Sequence, residues 1–161
     1  MIKIFITGGT IDCLLIKDNE EYSFGDTNIP KLLDQGRCKL EIKSEVLMMK
    51  DSLLITEEDR NIILDNCANC NETQIVITHG TDTMVETAKV LGKNISDKTI
   101  VLLGAMIPYN QENSDAMFNL GCAISAAQTL PYGIYITMNG KIFSWNNVKK
   151  NKALGIFETL S

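Results

Sequence analysis

The sequence predicts an α/β domain of three layers (α/β/α), with a mostly parallel β-sheet between two layers of helices. Short apolar, β-branched segments alternate along the chain with segments whose apolar residues recur at helical spacing. This alternation is typical of a parallel sheet whose strands are joined by helices. The length of 161 residues fits one domain. We therefore expect residues 1–161 to form that domain.

Composition and charge exclude several classes of function. The net charge of −5 argues against a nucleic-acid partner, which would require a basic face. No apolar run reaches the roughly 18 residues that span a bilayer, so no membrane partner is expected. The five cysteines are odd in number and irregularly spaced, and the N-terminus lacks the pattern of a signal peptide. These features predict a reducing, cytoplasmic setting.

The first half of the chain contains two predicted strands and two predicted helices. Residues 2–7 form the first strand, which ends at Gly8-Gly9-Thr10. Residues 17–26 are polar and predict an exposed loop or a short hairpin, and Pro30 opens a short helix that runs to residue 35. A strand over residues 40–48 leads to Asp51-Ser52. The sequence Thr56-Glu57-Glu58-Asp59 then resembles a capping box for a helix that ends near residue 69.

The residues that follow do not indicate a metal or an organic cofactor. Cys67 and Cys70 lie on the apolar face of the second helix, so core packing is the preferred interpretation. A zinc site would need further ligands, and the chain has one histidine and no second cysteine pair of this spacing. We therefore predict no metal and no cofactor.

Residues 75–88 are the stretch around which the chain is organised. The apolar strand at residues 75–77 is short enough to be buried on both faces. A turn follows it, with the sequence Thr78-His79-Gly80-Thr81-Asp82-Thr83, and a helix comes next, which Asp82 or Thr81 could cap. Packing does not need these hydroxyls, and a helix N-terminus attracts carboxylates and oxyanions. The turn is therefore predicted to be a functional site.

The second half of the chain continues the alternation. A strand at residues 99–103 ends in Gly104-Ala105-Met106-Ile107-Pro108, and a helix begins near Ser114-Asp115. A strand at residues 133–138 is joined to residues 141–143 by Asn139-Gly140, a strong signal for a two-residue hairpin. The tail from residue 145 shows no pattern of helix length.

The strand ends predict a single site. Glycine, hydroxyl or carboxylate residues follow four of the strands, at residues 8–10, 51–52, 78–83 and 104–105. In open α/β sheets, ligands bind beyond the carboxyl ends of the strands. We therefore expect these four segments to converge on one ligand site.

Several of these segments resemble sequence signatures of the bacterial-type L-asparaginases. The first signature is resembled by Thr7-Gly8-Gly9-Thr10-Ile11, and the second by residues 78–84 together with Glu86-Thr87-Ala88. Later family blocks are matched by Gly104-Ala105-Met106, Ser114-Asp115 and Phe118-Asn119-Leu120. The chain is identified on this basis as a member of the family. The resemblance implies the family's N-terminal domain over the whole chain, with the family's C-terminal domain absent.

The resemblance also implies an activity and a catalytic set. Members hydrolyse L-asparagine or a related small amide to aspartate and ammonia, with threonine hydroxyls as nucleophiles. A free hydroxyl is a weak nucleophile and must be activated. By resemblance, Thr10 is the first nucleophile candidate and Tyr22 accepts its proton. Thr81, Asp82 and Lys150 resemble the second constellation, in which the lysine is the base, and Lys149 is the competing choice.

Substrate contacts follow from the same resemblance. Ser52 would receive the α-carboxylate of the amino acid, Asp82 would bind its α-amino group, and backbone groups around Thr81 and Ala105 would hold the amide. His79 would support the turn. Two departures stand out: Leu53-Leu54 replaces more polar residues after the serine, and Ile107 replaces an arginine.

Two other hypotheses stay open at this stage. The chain could be a weakly active or inactive module that binds an amino acid, because Leu53 and the missing domain would remove substrate contacts. It could also be a subunit that needs a partner chain, as in the transfer-RNA amidotransferase relatives of this family. The resemblance implies either a homo-oligomer, because the family assembles through this domain, or a partner chain that supplies the missing domain.

Overall fold

A computed structural model describes the backbone of residues 1–16 and 21–160, and the side chains of these residues except 15, 16, 21 and 22. Within this part the chain forms ten strands and four helices. In order they are β1 (Ile2–Gly8), β2 (Cys13–Ile16), β3 (Glu21–Phe24), α1 (Ile29–Gln35), β4 (Ile42–Lys50), α2 (Glu57–Asn69), β5 (Gln74–Thr78), α3 (Met84–Asn94), β6 (Thr99–Leu103), α4 (Ala116–Thr129), β7 (Gly133–Met138), β8 (Lys141–Ser144), β9 (Lys149–Asn151) and β10 (Ile156–Glu158).

A six-stranded sheet forms the middle layer of the domain, with the strand order β4-β1-β5-β6-β7-β8. All neighbouring strands are parallel except β7 and β8, which form the antiparallel hairpin. Asn139 and Gly140 have φ angles of 50° and 83° at its tip, as a two-residue hairpin turn requires. The structure therefore confirms the mostly parallel sheet.

The central strands bury both of their faces, which gives the domain its three layers. On β1, Ile4 and Ile6 pack into an apolar cluster with residues of α1 and α4, whereas Phe5 packs into a second cluster with residues of α2 and α3. Strands β5 and β6 alternate in the same way, because successive side chains of a strand point to opposite faces. Each layer of helices thus covers one face of the sheet.

The strand order reverses between β1 and β5. Numbered along the chain, the five parallel strands have the order 2-1-3-4-5, since the chain passes from β1 to β4 on one side and returns to β5 on the other. In sheets of this kind the reversal opens a crevice at the carboxyl ends of the two strands. The turns that leave these ends carry Thr10 and Thr81.

Three local details differ from the expectations or complete them. In the polar segment at residues 17–26, Glu21–Phe24 forms β3, which pairs antiparallel with β2 just before the segment, while residues 17–20 lie outside the described part. The prediction that Thr81 or Asp82 caps α3 is wrong, because the N-cap is Thr83 and makes no side-chain capping bond. The tail contains the short antiparallel pair β9–β10, which the sequence did not predict because strands of three residues carry no periodic signal.

The capping box and the cysteines of α2 adopt the predicted arrangements. Thr56 Oγ1 accepts a hydrogen bond from Asp59 N at 3.2 Å, and Asp59 Oδ2 accepts one from Thr56 N at 2.9 Å. Cys67 is buried in the core, with Cys70 packed against it. The described residues contain no group of three or more His, Cys, Asp or Glu placed to hold a metal ion. None of the helices in this part of the chain is long and apolar enough to cross a membrane.

Candidate active site

A cavity of about 350 Å³ opens where β1 and β5 end. One part of its wall is polar and comprises Thr10, Asp51, Ser52, Thr81 and Asp82, with the backbone of Gly9 and Gly80 between them. The remaining wall is less polar and comprises Cys13, Phe24, Met106 and Pro108. The segments that follow β1, β4, β5 and β6 therefore meet at one place.

Close backbone contact brings the two threonine turns together. Gly9 has a φ of 78°, and a Cβ on this residue would overlap the backbone of Gly80. A Cβ on Gly80 would in turn lie 2.6 Å from both Cβ and Oγ of Ser52. Glycine is needed at these positions because neither leaves room for a side chain. This contact allows Thr10 and Thr81 to line the same cavity.

Lys150 reaches the second threonine turn from β9. Its Nζ donates hydrogen bonds to Thr81 Oγ1 at 2.7 Å and to Asp82 Oδ1 at 2.8 Å. Only 12% of the Lys150 side chain is exposed. The carboxylate of Asp82, the residue before the N-cap Thr83, thus forms an ion pair with Lys150.

The neighbouring lysine points elsewhere. Lys149 is 51% exposed and lies 3.4 Å from Glu158 across the β9–β10 pair. Phe157 is paired with Lys150 in this hairpin, and its buried ring lies 6.5 Å from that of Phe143 in the core. The core anchor of β10 thus determines which lysine faces Thr81.

The turn after β4 buries a serine and exposes two leucines. Ser52 is buried at the start of a 3₁₀ turn (Ser52–Leu54), in which Asp51 Oδ1 accepts a hydrogen bond from Leu53 N at 2.8 Å. The Ser52 carbonyl accepts a bond from Thr83 Oγ1 at 2.7 Å, which ties this turn to the one that bears Thr81. Leu53 and Leu54 are 64% and 69% exposed beside the cavity.

His79 is buried and has a structural role. Its Nδ1 lies 2.8 Å from the carbonyl oxygen of Gly80, and its Nε2 lies 2.7 Å from Oγ1 of Thr87. Burial lowers the pKa of His79 to about 4. In the neutral ring that results, Nδ1–H donates to Gly80 and Nε2 accepts from Thr87, because a carbonyl can only accept. No lone pair of the ring remains for base catalysis, in agreement with the expectation that His79 supports the turn.

A carboxylate at the N-cap of α4 and an amide in its first turn hold the loop that follows β6. Asp115 accepts hydrogen bonds from the backbone N–H groups of Met106 and Ile107, both at 3.0 Å. Asn119 donates to the carbonyl of Gly104 at 2.9 Å and also binds Asp115 at 2.9 Å. The sequence blocks around residues 114–120 matched the family, but only the structure shows what these two side chains contact.

Ala105 belongs to this loop but is not among the residues that line the cavity. It is buried, and its neighbours Met106 and Pro108 line the cavity in its place. Any contribution of Ala105 to substrate binding would therefore be made by its backbone, as predicted. Cys13 and Phe24 belong to none of the sequence motifs, so only the structure shows that they line the cavity.

Thr10 and Tyr22 belong to the first half of the site. Thr10 begins a 3₁₀ turn (Thr10–Asp12) and lines the cavity. The backbone of Tyr22 pairs with Leu15 across the β2–β3 hairpin. The Tyr22 side chain is outside the described part of the structure, so its role as proton acceptor stays a prediction.

Cys13 is a further cavity residue, on the strand that follows Thr10. Burial raises the pKa of its thiol, with the charge of Asp51 acting in the same direction. The protonated thiol that results is a poor nucleophile. Cys13 is therefore not a candidate nucleophile.

The fold and the cavity together define a parallel α/β domain with paired threonine turns at its switch point. The family described as "Asparaginase, N-terminal" matches residues 1–158, and the chain belongs to this family.

Three known proteins illustrate the similarity. The L-asparaginase of Thermococcus kodakarensis is 42% identical over 157 residues, which cover 93% of this chain and 47% of that protein. A glutamyl-tRNA(Gln) amidotransferase subunit of Methanococcus vannielii is 32% identical over 157 residues, which cover 88% of this chain and 34% of that protein. The crystal structure of a probable cytoplasmic L-asparaginase from Campylobacter jejuni superposes with a TM-score of 0.83 at 33% identity, covering 98% of this chain and 52% of that one. The chain therefore spans about half or less of the length of these relatives.

Proposed function

We propose that this chain is an amidohydrolase of the L-asparaginase type, which converts L-asparagine or a related small amide to aspartate and ammonia. The observation that carries the proposal is the contact of Lys150 Nζ with Thr81 Oγ1 at 2.7 Å and Asp82 Oδ1 at 2.8 Å, across a cavity that Thr10 also lines. When the Lys150 amine is neutral, its position within hydrogen-bond distance of Thr81 lets it accept the hydroxyl proton and activate the nucleophile. The names of the relatives support the same class of reaction.

In the proposed reaction, Thr10 Oγ1 attacks the amide carbon and Tyr22 accepts the proton from its hydroxyl. The proton then passes to the amide nitrogen and the C–N bond breaks. Ammonia leaves, and the acyl group remains bound to Thr10 as an ester. Water then hydrolyses the ester, which restores the Thr10 hydroxyl and releases the carboxylate. Thr81, activated by Lys150, supplies the second hydroxyl beside the amide. This chemistry requires no metal or organic cofactor.

The polar wall suits an amino-acid amide. Ser52 would receive the α-carboxylate and Asp82 the α-amino group, while backbone groups around Thr81 and Ala105 would hold the amide. Backbone N–H groups beside the hydroxyls would stabilise the oxyanion formed during attack. We also propose assembly into a homo-oligomer and a cytoplasmic setting, which the similarity to the probable cytoplasmic enzyme of Campylobacter jejuni supports.

The test is ammonia release from L-asparagine by the chain as it stands, compared with Thr10→Ala and Thr81→Ala. Thr129→Ala is the matched control, because it removes a hydroxyl that bonds only the Ser125 carbonyl on α4, remote from the cavity. We expect turnover in the unsubstituted chain and the control, and its loss in the other two variants. Absence of ammonia from asparagine, glutamine and other small amides at millimolar concentration would overturn the proposal.

The exposed leucines support a second candidate function, that of a subunit completed by a partner chain. Leu53 and Leu54 are 64% and 69% exposed and directly follow the buried Ser52, which lines the cavity. Adjacent exposed leucines are costly unless another surface covers them. The similarity to an amidotransferase subunit fits this candidate.

Co-purification from the native cell separates the two functions. A partner-dependent subunit would elute with a second protein, and Leu53→Ser with Leu54→Ser would release it. A third outcome is an amino-acid-binding module without turnover, for which L-aspartate would raise the melting temperature although no ammonia is formed.

A further inference from the structure

Asp12 is a buried carboxyl group next to the first threonine turn, and the proposed reaction does not use it. Its side chain is fully buried, and it ends the 3₁₀ turn that Thr10 begins. Its backbone N–H donates to the Gly9 carbonyl at 3.1 Å. Burial is the main cause that raises the pKa of Asp12. A buried carboxyl is costly unless hydrogen bonds compensate it, so its contacts define its role.

One oxygen of Asp12 joins the two ends of the β2–β3 hairpin. Asp12 directly precedes β2, and its Oδ1 accepts hydrogen bonds from Thr27 Oγ1 and from Asn28 N, both at 2.7 Å. Thr27 and Asn28 lie between the end of β3 and the start of α1. These two bonds close the hairpin at its base, just beyond the last strand pair, Cys13 with Phe24.

The carboxyl group of Asp12 also lies near Thr78, the last residue of β5. The hydroxyl of Thr78 is near enough to lower the pKa of Asp12, although neither it nor Asp12 Oδ2 has a partner of full hydrogen-bond geometry among the described residues. Thr78 ends β5, and its carbonyl accepts a bond from Thr7 Oγ1 at 2.7 Å. Asp12 thus lies between the strand that leads to Thr81 and the hairpin that follows Thr10.

We propose that Asp12 is a positioning residue, which fastens the Thr10 turn and the base of the β2–β3 hairpin to the start of α1 and so sets the place of Thr10 in the cavity. Cys13 and Phe24 line the cavity and form the hairpin's last pair, so a shift of the base would move the cavity wall. A misplacement of about 1 Å can lower a rate about 100-fold. The catalytic part of this inference rests on the proposed amidohydrolase function; the structural part does not.

The test compares Asp12→Ala with Asp12→Asn and Thr27→Val. Asparagine keeps the acceptor Oδ1 for both bonds, whereas alanine removes them and Thr27→Val removes one. Thr129→Val is the matched control, because it removes one hydroxyl–backbone hydrogen bond on α4. The measurements are amide hydrogen exchange over residues 9–16 and 21–28, and kcat and KM for asparagine hydrolysis.

We expect exchange in these two segments to accelerate about tenfold or more in Asp12→Ala, with β6 and α4 unchanged. We expect kcat to fall about tenfold to 100-fold, with KM changed much less, and Asp12→Asn to restore most of both losses. If Asp12→Ala does not fold, Thr27→Val is used in its place. We expect it to accelerate exchange in the same two segments and to lower kcat, both by less than Asp12→Ala would.

Four results would overturn the proposal: exchange and kcat as in the unsubstituted chain, equal losses in Thr129→Val, exchange that accelerates throughout the chain, or no rescue by Asp12→Asn. If the unsubstituted chain releases no ammonia, the proposed function fails. Hydrogen exchange then decides by itself whether Asp12 holds the hairpin.

Discussion

Lys149 and Lys150 are neighbours on β9 with different surroundings, and this difference can be tested. Lys150 is mostly buried against Thr81 and Asp82, whereas Lys149 forms an exposed pair with Glu158. An exposed ion pair of this kind contributes about 0–1 kcal/mol to stability. Replacing Lys149 should therefore change little.

We predict that Lys150→Met lowers ammonia release at least about 100-fold, since a positioned base contributes about 10²–10⁴ in rate. Lys149→Met, which removes the same charge one residue away, should keep the activity of the unsubstituted chain. Initial rates of ammonia release at saturating asparagine provide the measurement. A larger loss in Lys149→Met than in Lys150→Met would refute the assignment.

His79 is the chain's one histidine, so its titration can be followed without ambiguity. Burial lowers its pKa from 6.5 to about 4. We predict that the imidazole proton signals in a ¹H NMR titration do not shift between pH 8 and pH 5.5. A midpoint near 6.5 would show that the ring is not buried and neutral as described.

The same shift predicts how His79 affects stability. As pH falls below 6.5, the unfolded chain binds a proton on this ring, while the folded chain does not until about pH 4. The contribution of His79 is therefore complete above pH 6.5 and is lost between pH 6.5 and pH 4, by about 3 kcal/mol. The raised pKa of Asp12 has the opposite effect on stability at acid pH. The contribution of His79 is therefore measured by urea denaturation of the unsubstituted chain and of His79→Gln at several pH values.

At the scale of elements, the contact of the turns after β1 and β5 decides whether a shared cavity exists. Gly9 touches the backbone of Gly80 and has a positive φ, so alanine there is strained in both space and conformation. Gly121 on α4 is the opposite case, because a Cβ there meets nothing within 4 Å.

We predict that Gly9→Ala destabilises the fold by roughly 2–3 kcal/mol and abolishes ammonia release, because the two turns must separate. Gly121→Ala should stabilise it by about 0.5–1 kcal/mol, because alanine favours a helix interior. Urea denaturation of both variants measures the change in the free energy of unfolding, which should have opposite signs in the two. A neutral effect of Gly9→Ala would mean that the turns are not in contact.

The short elements show which parts of the fold the sequence could not predict. The long apolar strands and the capping box of α2 appear where local signals place them. The β9–β10 pair has three residues in each strand, and it forms because Phe157 packs into the core. Its position therefore depends on tertiary contacts, and with it the choice of Lys150.

At the scale of the whole molecule, the cavity lies where the strand order reverses. A ligand that binds there binds the folded chain but not the unfolded chain, because the cavity exists only after folding. Such a ligand raises stability by about 2.7 kcal/mol at 100 times its Kd. For a chain of this size, each kcal/mol raises the melting temperature by about 2–4 °C.

We predict that L-aspartate, the proposed product, raises the melting temperature by roughly 5–10 °C at such a concentration. Asp82→Asn should remove most of this shift, because the carboxylate is the proposed partner of the α-amino group. Glu158→Gln, which changes a carboxylate of the tail outside the cavity, should keep it. A melting temperature that L-aspartate leaves unchanged would contradict the proposed substrate contacts.

The sequence by itself determined the α/β class, the family and the convergence of the strand ends. Apolar β-branched runs specify buried strands locally, and parallel strands must place their carboxyl ends at one edge of the sheet. The motifs around Thr10 and Thr81 lie at those ends, so the sequence also predicted that these two segments would meet.

Only the tertiary structure distinguished Lys150 from Lys149 and showed which residues Asp12, Asp115 and Asn119 contact. Lys150 meets Thr81 across 69 residues of chain, and Asp12 meets Asn28 across 16. Asp115 and Asn119 hold the loop after β6 from another element. Such contacts depend on how the elements pack together, and no local propensity records them.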